Sequence, residues 1–269
     1  MTLPAIPESF EWTQSSCGLV LKCRPLEAIA SHAFTTRAVP LSSSDDWRLL
    51  ARALGAEGVV TPHQVHGRDV GVIRRGLPRP VERPTCDALV SDGPETAVAI
   101  RAADCVPVLL ADARTGAVAA VHAGWRGVAA GAIGSAIETL MREFGTSPVH
   151  LHAAIGPAIG SCCYEVGSDL VDAFAAAGHA RHLIDRWFHS SPAPRGSFSR
   201  GLERGARSPL RLDLPGASRD QLVLAGVPED RIHLSGLCTA MHLDVFTSYR
   251  AEKERAGRIA GAIRPFTPR

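Results

Sequence analysis

No charge of one sign dominates the sequence, and aromatic side chains are scarce: the formal net charge is +2 at pH 7, and Phe, Trp and Tyr together make up 5% of 269 residues. That composition offers neither the basic field nor the stacking surface with which proteins hold nucleic acid. No apolar run approaches the roughly 18 residues of a membrane span. The N-terminal segment lacks the charged start and apolar centre of a signal peptide. These absences predict a cytoplasmic protein with neither a nucleic-acid nor a membrane partner.

What is present is a hydrophobic fraction of 45%, enough in a chain of this length for a substantial core in one large domain or two small ones. The seven cysteines are an odd number. In a reducing compartment they are expected as thiols, ligands or nucleophiles and not as a disulfide framework. Cys17 and Cys23, in the segment CGLVLKC, read as packing residues of a strand. Cys86, Cys105, Cys162, Cys163 and Cys238 fall beside Gly, Asp or Thr, in turn neighbourhoods where chemistry concentrates.

Residues 1–37 read as an irregular start followed by two strands, and 45–55 as a short helix with Asp at its start and Gly at its end. The β-like segments between 58 and 123 follow one another closely, with Gly, Asp and Pro between them, and predict one sheet of mostly sequential strands. A helix over 127–144, the strand VHLHAAIGP, helices over 167–177 and 218–226, and the strand GRIAGAIRP complete an α/β pattern. The Ser-, Pro-, Gly- and Arg-rich stretch 187–208 reads as an exposed loop. There is no internal repeat. The expectation is a single domain over 1–269 with a mixed β-sheet core flanked by helices.

His66 in PHQVHG, Cys105 in AADC and His122 in VHAGW each sit at the edge of a proposed strand. The interval from Cys105 to His122 suits an antiparallel pair, VPVLLADA and GAVAAVHA, which brings the start of one strand near the end of the other. Two imidazoles and a thiolate leave a fourth position open, the arrangement of catalytic zinc, and copper accepts the same ligands. The plain alternative is three unrelated polar residues at strand ends. A second chemical alternative makes Cys105 a nucleophile and His122 its base, with backbone near Gly124 as oxyanion donor; it leaves His66 without a role. His63 is a substitute for His66, and His150 and His152 read as a partly exposed pair on one strand face. Arg126 falls beside a helix N-terminus, where N–H groups attract anions. Cys162 and Cys163 read as packed residues before a helix, with a redox pair as the alternative.

The blocks QVHG (64–67), CDALVSD (86–92), ADCVPVLLAD (103–112), VHAGWRG (121–127), IGPAIGSCCYEVG (155–167), CT (238–239) and SYR with GRIAG (248–261) run in order along nearly the whole chain. They resemble the YfiH/YlmD-type laccase-domain family, described as purine nucleoside phosphorylases and earlier as polyphenol oxidases. The resemblance implies a cytosolic monomer with a metal-dependent pocket whose ligands are His66, Cys105 and His122. Implied activities are phosphorolysis of adenosine, inosine, guanosine and S-methyl-5′-thioadenosine, with adenosine deamination beside it; some bacterial members are assigned a role in keeping wrong amino acids out of peptidoglycan precursors. Arg37, Gln64, Arg126 and Arg250 are the implied substrate contacts, and Cys105, His122 and Arg126 the implied catalytic residues. The chain departs from the pattern at Ala158, where many relatives have Cys. It departs again in TTRAVPLSSSDDW (35–47), which shortens a pocket loop around Arg37.

Phosphorolysis requires a phosphate site. Arg126 is its first candidate because a guanidinium offers a two-pronged donor, with Arg250 and Arg258 behind it. Deamination through zinc-activated water would need a different acid/base from the usual H-x-E and P-C-x-x-C signature, which is absent. Asp104 is a candidate for orienting a ligand, Glu165 for capping helix 167–177, and Trp125 for packing. The alternatives to a phosphorylase are a Cys–His hydrolase acting in peptidoglycan precursor editing, a copper-dependent polyphenol oxidase, and a non-catalytic nucleoside-binding module.

Overall fold

The computed structural model describes residues 3–190 and 209–266. Its strands are β1 (Phe10–Ser15), β2 (Gly18–Cys23), β3 (Ala30–Thr35), β4 (Gly58–Val60), β5 (Val70–Ile73), β6 (Ala88–Ser91), β7 (Thr96–Ala102), β8 (Val106–Asp112), β9 (Val118–Ala123), β10 (Leu151–Ile155), β11 (Phe188–His189), β12 (Arg211–Leu212), β13 (Ile232–Leu234) and β14 (Ile259–Pro265). Two six-stranded sheets form, in the orders β1-β2-β3-β14-β7-β4 and β13-β10-β8-β9-β6-β5. Each mixes parallel and antiparallel pairs: β4 runs parallel to β7, whereas β8 and β9 are antiparallel. The fold is α/β with mixed sheets.

Alternation along the central strands explains the layering. Leu109, Ala111, Val118 and Ala120 point to the seam between the sheets, where they meet Phe34, Ile100 and Ile263. Val108, Leu110, Ala119 and Val121 point the other way, onto Ile133, Ile137 and Leu140 of the Ala132–Phe144 helix and Leu222 of the Leu214–Leu224 helix. The outer face of the first sheet is covered by Leu50 and Leu54 of the Ser44–Leu54 helix. The order of layers is therefore helix, sheet, sheet, helices.

At one end of the seam the sheets approach through two residues that have no side chain. A Cβ on Gly156 would lie 2.4 Å from the Phe34 ring and 2.9 Å from Pro107, and one on Gly261 would lie 2.9 Å from Pro107.

Several expectations are corrected. The segments between 58 and 123 do not share a sheet: β4 and β7 belong to the first, β5, β6, β8 and β9 to the second. Every residue of β6, β8 and β9 is buried, so no polar face marks which sheet a segment joins. The predicted helix 127–144 is two helices, Trp125–Ala130 and Ala132–Phe144, divided at Gly131, whose φ of 82° is left-handed. The last predicted helix starts earlier, at Leu214, because Asp213 caps it by accepting the Gly216 N–H at 3.0 Å. His150 ends a 3-10 turn ahead of β10, so it does not share a strand face with His152. Cys17 lies in the turn before β2. Most of the predicted loop 187–208 lies outside the described residues.

Candidate metal centre and cavity

The β8/β9 hairpin pairs Val106 with Ala123 and Pro107 with His122. Cys105, one residue ahead of β8, thereby lies across from Gly124, and its side chain reaches His122. His66 arrives from the loop between β4 and β5. One nitrogen from each ring and the Cys105 sulfur lie within 4.8 Å of one another, and the two imidazole rings meet edge to face with centroids 4.9 Å apart.

Asp87, just ahead of β6 and fully buried, holds this arrangement. Its carboxylate accepts the backbone N–H groups of Val65 at 3.1 Å, His66 at 2.9 Å and Gly67 at 2.7 Å. It also meets His122 Nδ1 at 2.8 Å, which leaves Nε2 as the ring atom facing Cys105. The three amides explain how His66, not a glycine, is kept at a left-handed φ of 61°. Such a conformation costs about 1–3 kcal/mol unless its surroundings fix it.

Burial opposes every charge here, and contacts overcome it. Burial pushes the Asp87 carboxyl up, but His122 and the amides bring it down to about 2. Burial raises the Cys105 thiol, yet hydrogen bonds to His122 and His66 lower it to about 6. Burial lowers the His122 imidazole, while Asp87 and Cys105 raise it to about 9. These contacts favour a thiolate at Cys105 and a protonated imidazole at His122.

The donor set suits a borderline or soft cation: one thiolate, two imidazoles, and a carboxylate fixing one imidazole from behind. The backbone leaves room for an ion there. A Cβ on Gly124 would stand 2.9 Å from Cys105 Sγ and 3.0 Å from His66 Cδ2, so a side chain at that position would intrude on the cluster.

The three residues open into a cavity of about 520 Å³, with Arg101, Tyr164, Arg250, Lys253 and Arg258 among its walls. This is the size of a small-ligand site. Among the described residues, the non-glycine residues with positive φ, His66, Asp104 and Lys253, all line it. Burial, and then the like charges of Arg83 and Arg258, lower the Arg101 pKa. Arg258 donates to the carbonyls of Ala256 and Gly257. Among the described residues, Arg101, Lys253 and Arg258 have no carboxylate partner, so the lining carries unneutralised positive charge.

The other expected residues are placed as follows. Gln64 lines the cavity, but its amide is occupied by the Arg101 backbone, donating to O at 2.8 Å and accepting from N–H at 2.9 Å. Arg250 lines it too, stacked 5.1 Å from the Tyr164 ring centroid and donating to the Glu165 carbonyl. Arg126 is exposed, stacks on the Trp125 ring at 4.4 Å and is not a lining residue; Trp125 itself packs against the helical core. Arg37 is also outside the lining. It pairs with Glu252 at 3.0 Å and donates to the carbonyls of Leu243 and Phe246, bracing the segment that carries Arg250.

Asp104 orients neither ligand: its oxygens accept from the Thr239 hydroxyl at 2.7 Å and the Arg250 N–H at 2.6 Å. Glu165 pairs with Arg211, and the helix after it is capped at Gly167 without a side chain. Sequence reasoning missed Asp87, Arg101 and Lys253. The first two left a signal: a carboxylate at the head of an apolar strand, and a lone charge inside TAVAIRA.

Comparison with known proteins agrees with this architecture. Residues 33–265 match the family model described as multi-copper polyphenol oxidoreductase laccase. A purine nucleoside phosphorylase of Deinococcus radiodurans is 38% identical over 266 residues, 91% of this chain and 93% of that protein. One from Bacteroides thetaiotaomicron is 37% identical over 177 residues, 66% of this chain and 60% of the relative. A protein named adenosine deaminase RL5, from an unknown prokaryotic organism, is 32% identical over 78% of this chain and 76% of its own. The crystal structure of YlmD from Geobacillus stearothermophilus superposes with a TM-score of 0.77 at 27% identity, covering 97% of this chain and all of that one. The chain belongs to the multi-copper polyphenol oxidoreductase laccase family, and its relatives include proteins that bear the name purine nucleoside phosphorylase.

Proposed function

We propose that the protein is a metal-dependent purine nucleoside phosphorylase acting on adenosine, inosine, guanosine and S-methyl-5′-thioadenosine. The observation that carries the reading is the cavity itself, whose lining combines His66, Cys105 and His122 with cations that have no carboxylate partner among the described residues. His66, Cys105 and His122 would hold a zinc ion, or copper as the alternative, and a cation held there would supply Lewis acidity toward a substrate oxygen or water. Arg101, Lys253 and Arg258 bind phosphate and hold it against the ribose, offsetting its charge as it attacks C1′ and the base departs with the glycosidic electron pair. Arg250 lines the same cavity. Arg126 and Arg37 lie outside the residues that line this cavity. Asp87 fixes the tautomer of His122 and the turn of His66, so that both rings keep their aim.

Adenosine deamination in the same cavity is supported by the relative named adenosine deaminase. Release of free base from inosine only in the presence of phosphate tests the main reading, and release at an equal rate without phosphate would overturn it.

A second reading rests on one observation: Asp87, His122 and Cys105 stand in the order acid, imidazole, thiol, which is the order of a cysteine hydrolase. In that reading His66 has no necessary part, although it too hydrogen-bonds the Cys105 sulfur.

A further inference from the structure

A second group of sulfur ligands lies behind the cavity wall. Cys162 and Cys163 come from the turn after β10, and Cys238 from the loop after β13. Their three sulfurs lie within 4.8 Å of one another. An ion bonded to thiolates at about 2.3 Å needs its sulfurs about 3.8 Å apart, so side-chain rotations that close at most about 1 Å between sulfurs bring all three to one centre.

The scaffold of this cluster is fixed by groups other than the sulfurs. Ala158 and Cys238 form a β-bridge, with Ala158 N–H bonded to Leu237 O and Thr239 N–H to Ala158 O. The Cys163 N–H donates to Gly160 O at 2.9 Å. The Arg211 guanidinium, 2% exposed, donates to the carbonyls of Ser161 and Cys162 and pairs with Glu165 at 2.7 Å. Gly160 N–H donates to Cys238 Sγ at 3.3 Å, and Met241 N–H supports the same sulfur. Amides directed at sulfur favour a thiolate.

The cluster also has an entrance. Cys162 and Cys238 line a separate cavity of about 280 Å³, and so does Ser235. The Ser235 hydroxyl is buried, with its residue 2% exposed, and has no hydrogen-bond partner among the described residues. Buried hydroxyls are ordinarily satisfied, so this one marks room for a polar guest beside the sulfurs.

We propose that Cys162, Cys163 and Cys238 form a second metal site, which takes a thiophilic d10 cation, Zn(II) or Cu(I), as a three-thiolate complex. Each sulfur surrenders its proton on binding, and no electron is transferred. Three sulfurs without nitrogen or carboxylate favour a softer ion than the His66/Cys105/His122 set does. Thr239, next to Cys238, holds Asp104, next to Cys105, so the two sites share one brace.

The test uses the full chain as the Cys105→Ser variant, which removes the thiolate of the first site and reads no enzymatic activity. The reduced, chelator-stripped protein is loaded with Zn(II), or with Cu(I) under glutathione, desalted, and assayed for retained metal and for alkylation of Cys162 by mass spectrometry. The expected result is about one ion per chain with one of the two cations, and Cys162 alkylation slowed at least about tenfold. The cation that gives this result identifies the occupant. Adding Cys162→Ser, at a half-buried position, should abolish retention while the far-ultraviolet circular dichroism is retained. Cys162 alkylated equally fast with and without either cation in both Cys105→Ser and wild-type protein, or retention unchanged by Cys162→Ser, overturns the site and leaves a packed thiol cluster.

Discussion

Asp87 and His122 are joined twice: His122 N–H donates to the Asp87 carbonyl at 2.8 Å, and His122 Nδ1 meets the Asp87 carboxylate at the same distance. Backbone and side chain thus register the same pair of strands, and the orientation of the imidazole follows from sheet pairing. Asp87→Asn should keep the backbone bond and lose the charge behind the ring. Metal affinity in chelator competition should fall about 10–100-fold, with phosphorolysis falling in parallel. An affinity within twofold of wild type would remove Asp87 from the site.

The same carboxylate predicts an acid limb of stability. Its folded pKa of about 2 lies below the ordinary value near 4. Its contribution is therefore complete above about pH 4 and is lost as pH falls toward 2, a difference of about 2 kcal/mol. Urea unfolding of metal-free protein should show wild type losing stability between about pH 4 and pH 2 by more than Asp87→Asn does. Parallel losses in the two proteins would contradict the shift.

Cys105 decides between ligand and nucleophile. In chelator-stripped protein its alkylation should rise with pH through about 6, where the thiol ionises. In metal-loaded protein the thiolate should be protected, and restoring metal should restore turnover. Full activity in stripped protein with a rapidly alkylated Cys105 would favour the hydrolase reading, and His66→Ala with unchanged turnover would do the same.

The cationic lining makes a comparative prediction. Arg101→Ala should raise the KM for phosphate at least about tenfold, the scale of a lost charge-assisted hydrogen bond, with a smaller effect on nucleoside. Arg126→Ala and Arg37→Ala should change it within about twofold. A larger phosphate effect at Arg126 than at Arg101 would return the oxyanion to the helix end.

Gly124→Ala tests the room beside the sulfur. The backbone at Gly124 has φ of −75°, which alanine adopts freely, so any penalty comes from the methyl meeting Cys105 Sγ and His66 Cδ2. Metal content should fall by at least about tenfold while the far-ultraviolet circular dichroism is retained. Undiminished metal content would show that the cluster has more space than these contacts allow.

The proximity of Cys105 and His122 was legible because a hairpin interval is a local quantity: the two flank one turn, and strand pairing carries them to the same end. Asp87 was not, since its partners at 65–67 and 122 are brought to it by β5, β6 and β9 pairing, which no local pattern specifies. Arg101 and Lys253 escaped for a related reason. Their value lies in lacking a counter-charge, a property of the assembled lining. The fold class followed from the alternation of apolar runs with helical periods, whereas the division into two sheets did not, because strands buried on both faces carry no mark of their neighbours. Gly131 was in plain view, yet a single glycine within a helical pattern does not disclose that its φ is positive.

The glycines at 156 and 261 set the thickness of the seam at Pro107, two residues from Cys105. A methyl at either place would act as a wedge driven between the sheets, tilting the hairpin that carries two of the clustered side chains. The shape of the cavity is thus gauged partly by atoms the chain omits, and the tolerance of that gauge is less than the width of one carbon.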